Sequence, residues 1–146
     1  MAVLAMDETT PKTPWHLWFV GVLAVLWNAS GAYTILLAQQ GLLEGVSADE
    51  AAYYAAQALW FVVVTDVALL GGILGGAALL LRSRWAVPLF AISLGAIAVT
   101  SGYDLATGSS RMFTNTSTLV VTCLIWILAI VQLWYAAVMR GRGVLR

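Results

Sequence analysis

Chemistry has few places to reside in this chain. The stretch from Val62 to Gly72 is almost wholly apolar, yet it holds Asp66 near its middle. A carboxyl set in hydrocarbon is costly unless it is hydrogen-bonded, neutralised or paired. Counting along the apolar segments, the groups at a similar depth are Ser30, Tyr33 and Thr34 in one, Thr100, Ser101 and Tyr103 in another, and Thr122 in a third, with Asn28 a little deeper. All are hydroxyls or an amide, and no lysine or arginine shares that depth. Such a set suits either a proton-titrating or polar-ligand site, or a hydrogen-bonded lock between helices.

The rest of the inventory is thin. His16, the only histidine, stands just before the first apolar segment without a cluster of partners and reads as an interfacial residue. With no imidazole inside the apolar segments, histidine-ligated haem or chlorophyll is excluded. No metal-ligand spacing, Ser-His-Asp set or phosphate loop is present, so neither a metal nor a cofactor is expected. Cys123 is the single cysteine, which rules out an intramolecular disulfide, and it reads as a small buried apolar residue. Asp104 ends the third apolar segment and is expected to be solvated. An enzyme would have to work with Asp66 and no second titratable group, so no catalytic residue is expected.

The elements that position these residues follow from composition. Of 146 residues, 62% are hydrophobic and only 10% charged, against about a quarter charged in soluble domains; mean hydropathy is +0.91. Four segments, 17–38, 60–81, 86–105 and 119–139, each approach the ~20 residues that a helix needs to cross ~30 Å of hydrocarbon. The expected fold is an all-α, four-helix transmembrane bundle forming one integral membrane domain over residues 1–146. Asp7, Glu8 and Lys12 before the first segment do not make the basic start of a signal peptide, so that segment is expected to be a span rather than a leader.

Lys12, Arg82, Arg84, Arg140, Arg142 and Arg146 fall on one side of the spans and only Arg111 on the other. The positive-inside rule then places both termini in the cytoplasm. The basic inner surface suits anionic lipid headgroups, membrane lipids are expected partners, and nucleic acid is not. Trp15, Trp18, Trp60, Trp85 and Trp134 lie near span ends, as an interfacial belt does.

Between the first two spans, Ser47-Ala48-Asp49-Glu50 has the spacing of a capping box. A helix is predicted to start there and run through Tyr53 and Tyr54 into the second span. The short turn Arg82-Ser83-Arg84 makes spans two and three antiparallel neighbours. Pro88 sits in a first helical turn, where its missing N–H costs nothing. Thr114, Asn115, Thr116 and Ser117 offer N-caps for span four.

Small residues recur at helical spacing in three spans: Gly21, Ala24, Asn28, Gly31 and Ala32; Ala91, Gly95, Ala98 and Gly102; Thr118, Thr122, Ala129, Gln132 and Ala136. These are predicted helix seams, because in lipid close approach and dispersion drive association. Gly71, Gly72, Gly75 and Gly76 in span two lie roughly 140 to 280° round the helix from Asp66 at ~100° per residue. Both faces of that helix therefore call for protein. A lone four-helix chain supplies this poorly, and a homo-oligomer or larger membrane complex is expected.

Trp27-Asn28-Ala29-Ser30-Gly31, and Gly72-Ile73-Leu74-Gly75 continuing to Leu79-Leu80-Leu81-Arg82-Ser83-Arg84-Trp85-Ala86-Val87-Pro88-Leu89-Phe90, resemble a family of small four-span bacterial inner-membrane proteins, some loosely labelled sugar-transporter-like. The resemblance covers most of the chain and implies a multi-pass protein of the bacterial inner membrane. Its members tend to carry an acid where Thr34 stands and an aromatic where Ile35 stands; this chain has neither and has Asp66 instead. The expected function is that of a non-enzymatic accessory or structural membrane subunit, with a small oligomeric proton-linked transporter or sensor using Asp66 as the alternative.

Overall fold

The computed structural model describes residues 12–109 and 116–146. The described residues fold into five helices: α1 (Trp15–Gln39), α2 (Ala48–Ala55), α3 (Leu59–Leu80), α4 (Ala86–Thr107) and α5 (Thr116–Gly141). All but α2 are long and apolar enough to cross a membrane, so the chain is a multi-pass, all-α membrane bundle. Of the expected caps of α5, Thr114 and Asn115 lie outside the described residues, as do Asp7, Glu8 and Arg111.

The capping box forms as spaced: the Ser47 hydroxyl accepts from the Glu50 N–H, and Glu50 accepts from the Ser47 N–H at 2.8 Å. The helix it starts does not run on into the second span. It stops at Ala55, and Ala58 is extended at φ −66° and ψ 145° before α3 begins. A continuous helix from 48 to 80 would extend about 50 Å at 1.5 Å per residue and carry Tyr53 and Tyr54 away from the bundle. The break instead half-buries both rings and lets the Tyr53 hydroxyl donate to Asp104 on α4 at 2.9 Å.

Helix α3 is the centre of the packing, with α1 and α4 as its two principal neighbours, while α5 packs on α4. Glycine makes this possible. A Cβ at Gly76 would meet Val25 Cγ2 of α1 at 2.8 Å, and one at Gly75 would meet the Phe90 ring of α4 at 2.7 Å. Gly72 leaves the space that the Asn28 carboxamide fills, and Gly71 admits Leu89 and Ser93 at 3.2 Å. One glycine pair thus serves α1 and the other α4. The glycine face of α3 meets α1 and α4, the protein neighbours that its small residues called for.

The seam on α1 follows its small residues, with Leu80 entering at Gly21 and Leu69 at Gly31. The seam on α4 does not. Ala91, Gly95, Ala98 and Gly102 lie on the exposed side, and neither Gly95 nor Gly102 has a neighbour within 4 Å of where a Cβ would be. The buried side of α4 is Ala86, Phe90, Ser93 and Ala96. The physical reason is complementarity: α3 already provides the hollows, so α4 turns its bulk toward them. On α5, Gln132 and Ala136 are buried, whereas Thr122, Ile125 and Cys123 in the other half are exposed. Cys123 is therefore not the buried apolar residue expected.

The core lies toward the arginine-bearing end, where Leu17, Leu79, Ala86, Phe90 and Met139 meet Val144 and Leu145 of the tail. Helices α3 and α5 end there alike. Ser83 N–H bonds Ala78 O and Arg82 N–H bonds Leu79 O; Val144 N–H bonds Met139 O and Gly143 N–H bonds Arg140 O. Both are Schellman caps with a left-handed residue, Arg82 at φ 56° and Gly143 at φ 70°. The turn and the tail are then tied by Arg84 N–H to Arg146 O at 2.9 Å and Arg146 N–H to Arg82 O at 2.7 Å.

Candidate functional site

Asp66 lies on the side of α3 turned away from the glycines, about 10 Å along the axis from Leu59 at ~1.5 Å per residue. It is partly exposed, and its carboxyl has no hydrogen bond or ion pair among the described residues. Around it runs a stripe at the three- and four-residue spacing of one helix face: Leu59, Val63, Asp66, Leu70 and Leu74. Val63, Leu70 and Leu74 are 51%, 54% and 53% exposed. A carboxyl has been placed in an outward-facing apolar stripe with no described residue to satisfy it.

Three of the hydroxyls expected to surround it are engaged elsewhere. Ser30 donates to Trp27 O at 2.8 Å, Thr34 to Ser30 O at 3.0 Å, and Thr100 to Ala96 O at 3.2 Å. Each is satisfied by a carbonyl of its own preceding turn, the nearest acceptor that a Ser or Thr in a helix has. Tyr33 and Thr122 are exposed, Ser101 is partly buried, and Tyr103 joins an aromatic cluster; none of them bonds Asp66. Asn28 donates to Ala24 O at 2.8 Å and to Gln132 Oε1 of α5 at 3.4 Å, so it belongs to the packing between α1, α3 and α5. Among the described residues, none of these groups hydrogen-bonds Asp66.

Two polar links were not foreseen. Ser93, buried on α4, donates to Ala68 O of α3 at 2.6 Å and pins the two helices beside Gly71. Its signal was a single hydroxyl in the apolar first half of span three. The second link is Tyr53 with Asp104, separated by 51 positions in sequence, for which no pattern in the sequence serves as a signal. Asp104 is accordingly not simply solvated. A cleft of about 170 Å³ opens here between α2 and the ends of α3 and α4, lined by Tyr53, Gln57, Phe61, Tyr103 and Asp104 among others. Burial, reinforced by the hydrogen bond to the Asp104 carboxylate, holds the Tyr53 hydroxyl well above the usual tyrosine range. Burial, followed by the charges of Glu50 and Asp104, raises Tyr54 as well. Trp60 packs edge-on to Tyr103 at 4.8 Å between ring centres, and Phe61 lies 5.7 Å from the same ring. Tyr53 thus fastens α2 to the end of the bundle.

At the opposite end the His16 ring hydrogen-bonds the Tyr135 hydroxyl, joining α1 to α5. Trp15, Trp18, Trp60, Trp85 and Trp134 are all exposed, as residues that meet an interface are. No known protein family matches the chain, and neither does any characterised protein or solved structure. What fold and site define together is a class: a small multi-pass helical membrane protein with one unsatisfied acid on an outward helix face.

Proposed function

We propose that the chain is a non-enzymatic accessory or structural subunit of a membrane complex, and that the Asp66 face of α3 is where it docks. The observation that carries this reading is the carboxyl itself. It has no partner among the described residues, and at the centre of a membrane helix an aspartate costs at least ~2.5 to 3.5 kcal/mol. A membrane-spanning helix of a second subunit, bearing a hydroxyl or amide donor at matching depth, removes that cost and covers Leu70 and Leu74 in the same contact. Further copies of this chain are the other form such an assembly takes, with one proton shared between two Asp66 carboxyls.

The arginine-bearing end faces the cytoplasm under the positive-inside rule, and the resemblance noted above favours a bacterial inner membrane. The alternative, a small proton-linked transporter or sensor, has less support because none of the expected hydroxyls bonds Asp66. It predicts that Asp66→Asn abolishes flux.

Size analysis in mild detergent tests the docking reading. Wild type should run as a particle larger than one chain of 15.6 kDa. Asp66→Asn keeps shape and hydrogen-bonding capacity and should retain the particle, whereas Asp66→Leu should lose it while the bundle stays folded. A wild-type protein that is a monodisperse monomer with nothing bound refutes the reading.

A further inference from the structure

The end of the bundle opposite α2 gathers Arg82, Arg84, Arg140, Arg142 and Arg146, and they are not alike. Arg82 Nε donates to Val144 O at 3.3 Å and helps to hold the tail. Arg84 and Arg140 are exposed and have no side-chain hydrogen bond or ion pair among the described residues. Yet the two, from different elements, line one cleft of about 170 Å³ together with Trp85 and Pro88.

That cleft is built rather than incidental. Arg84 is held by its backbone bond to Arg146, and Arg140 by the Schellman cap of α5, whose Gly143 N–H bonds its carbonyl. Two planar guanidiniums with all their donors unused, close to the positive first turn of α4, form a receptor for a phosphate. Trp85 and Pro88 provide an apolar wall beside it. The cleft also sits where an apolar span ends, at the level at which headgroup phosphates lie.

We propose that this cleft is a specific site for the phosphodiester headgroup of an anionic phospholipid, with Arg84 and Arg140 clamping the phosphate and Trp85 and Pro88 against the glycerol and first acyl carbons. A lipid fits better than a free phosphate because Trp85 and Pro88 make half of the lining residues apolar. The site is independent of the Asp66 face and of which side of the membrane this end occupies.

The full chain in lipid nanodiscs tests the proposal, with phosphatidylglycerol or phosphatidylcholine as the bound lipid and native mass spectrometry as the readout. At about 5-fold in affinity per arginine, wild type should prefer phosphatidylglycerol by roughly 30-fold. The double variant R84Q/R140Q should lose that preference and remain folded, since neither side chain bonds anything in the chain. R142Q, which alters an arginine outside the cleft, should keep it. The proposal is overturned if wild type shows no preference, if R84Q/R140Q retains it, if R142Q loses it equally, or if inorganic phosphate alone raises the melting temperature as much as phosphatidylglycerol does.

Discussion

Replacing Gly76 by leucine should separate helices that only glycine allows to meet. The first added atom would already lie 2.8 Å from Val25 Cγ2, 3.1 Å from the Val25 backbone nitrogen and 3.3 Å from Ala24 Cβ. The nitrogen belongs to the α1 backbone and Val25 is β-branched and stiff at χ1, so a rotamer change gives no relief and α1 must move. Overpacking of this kind costs typically ~1–3 kcal/mol, to which separation adds the dispersion contacts forfeited along the seam. At ~0.6 kcal/mol for RT, the folded-to-unfolded ratio should fall by about 5- to 150-fold. Gly95→Leu is the matched control, because the same side chain there enters open space. The assay is reversible unfolding in mixed micelles, followed by tryptophan fluorescence, for both variants and wild type. If Gly76→Leu unfolds like wild type, or Gly95→Leu is destabilised equally, the packing of α3 between α1 and α4 is wrong.

Ser93→Ala removes the 2.6 Å bond to Ala68 O and should cost about 0.5–1.5 kcal/mol, read in the same unfolding assay; no change would mean that the hydroxyl contributes nothing to the α3–α4 seam. Tyr53→Phe takes the donor from Asp104, and should speed amide exchange across residues 48–57 while leaving α3 protected. Because the Tyr53 hydroxyl is raised in the folded state, the stability that it contributes is fully present below the ordinary tyrosine value near 10 and declines as pH rises beyond it. Exchange in α2 should therefore stay flat to about pH 10 and quicken above that, and quickening between pH 7 and 9 would contradict the sign.

The parts of this structure legible in sequence are those fixed by length and angle. Hydrocarbon thickness determines how many apolar residues a span needs, which is why the four spans stand within three residues of their expected limits. The capping box is a local device with local geometry, and it forms where Ser47 and Glu50 predict. The glycine face of α3 follows from 100° per residue. Choices among nearly equal local options were not legible. Either face of α4 has a plausible seam, and only the pairing of Phe90 with Gly75 selects one. The stop at Ala55 has no glycine or proline to announce it and depends on a carboxylate far along the chain. Ser30, Thr34 and Thr100 do not bond Asp66 because depth is not contact: a span hydroxyl finds a carbonyl in its own helix sooner than a carboxyl on another. Asp66 was conspicuous from the start, and its turn away from the glycines follows from ~100° per residue; that no described residue bonds it emerges only when all four spans are in place.

The central claim, that this face meets another membrane helix, is tested most directly by a photo-crosslinking residue in place of Leu70, one turn from Asp66. Val99 on α4, comparably exposed at 53% against 54%, is the control position. In native membranes the probe at position 70 should form a protein adduct of one discrete mass, and that adduct should vanish when Asp66→Leu is added. The probe at position 99 should give lipid adducts only. Lipid adducts alone from both positions would contradict the account, because the Asp66 face would then meet lipid and not a partner helix.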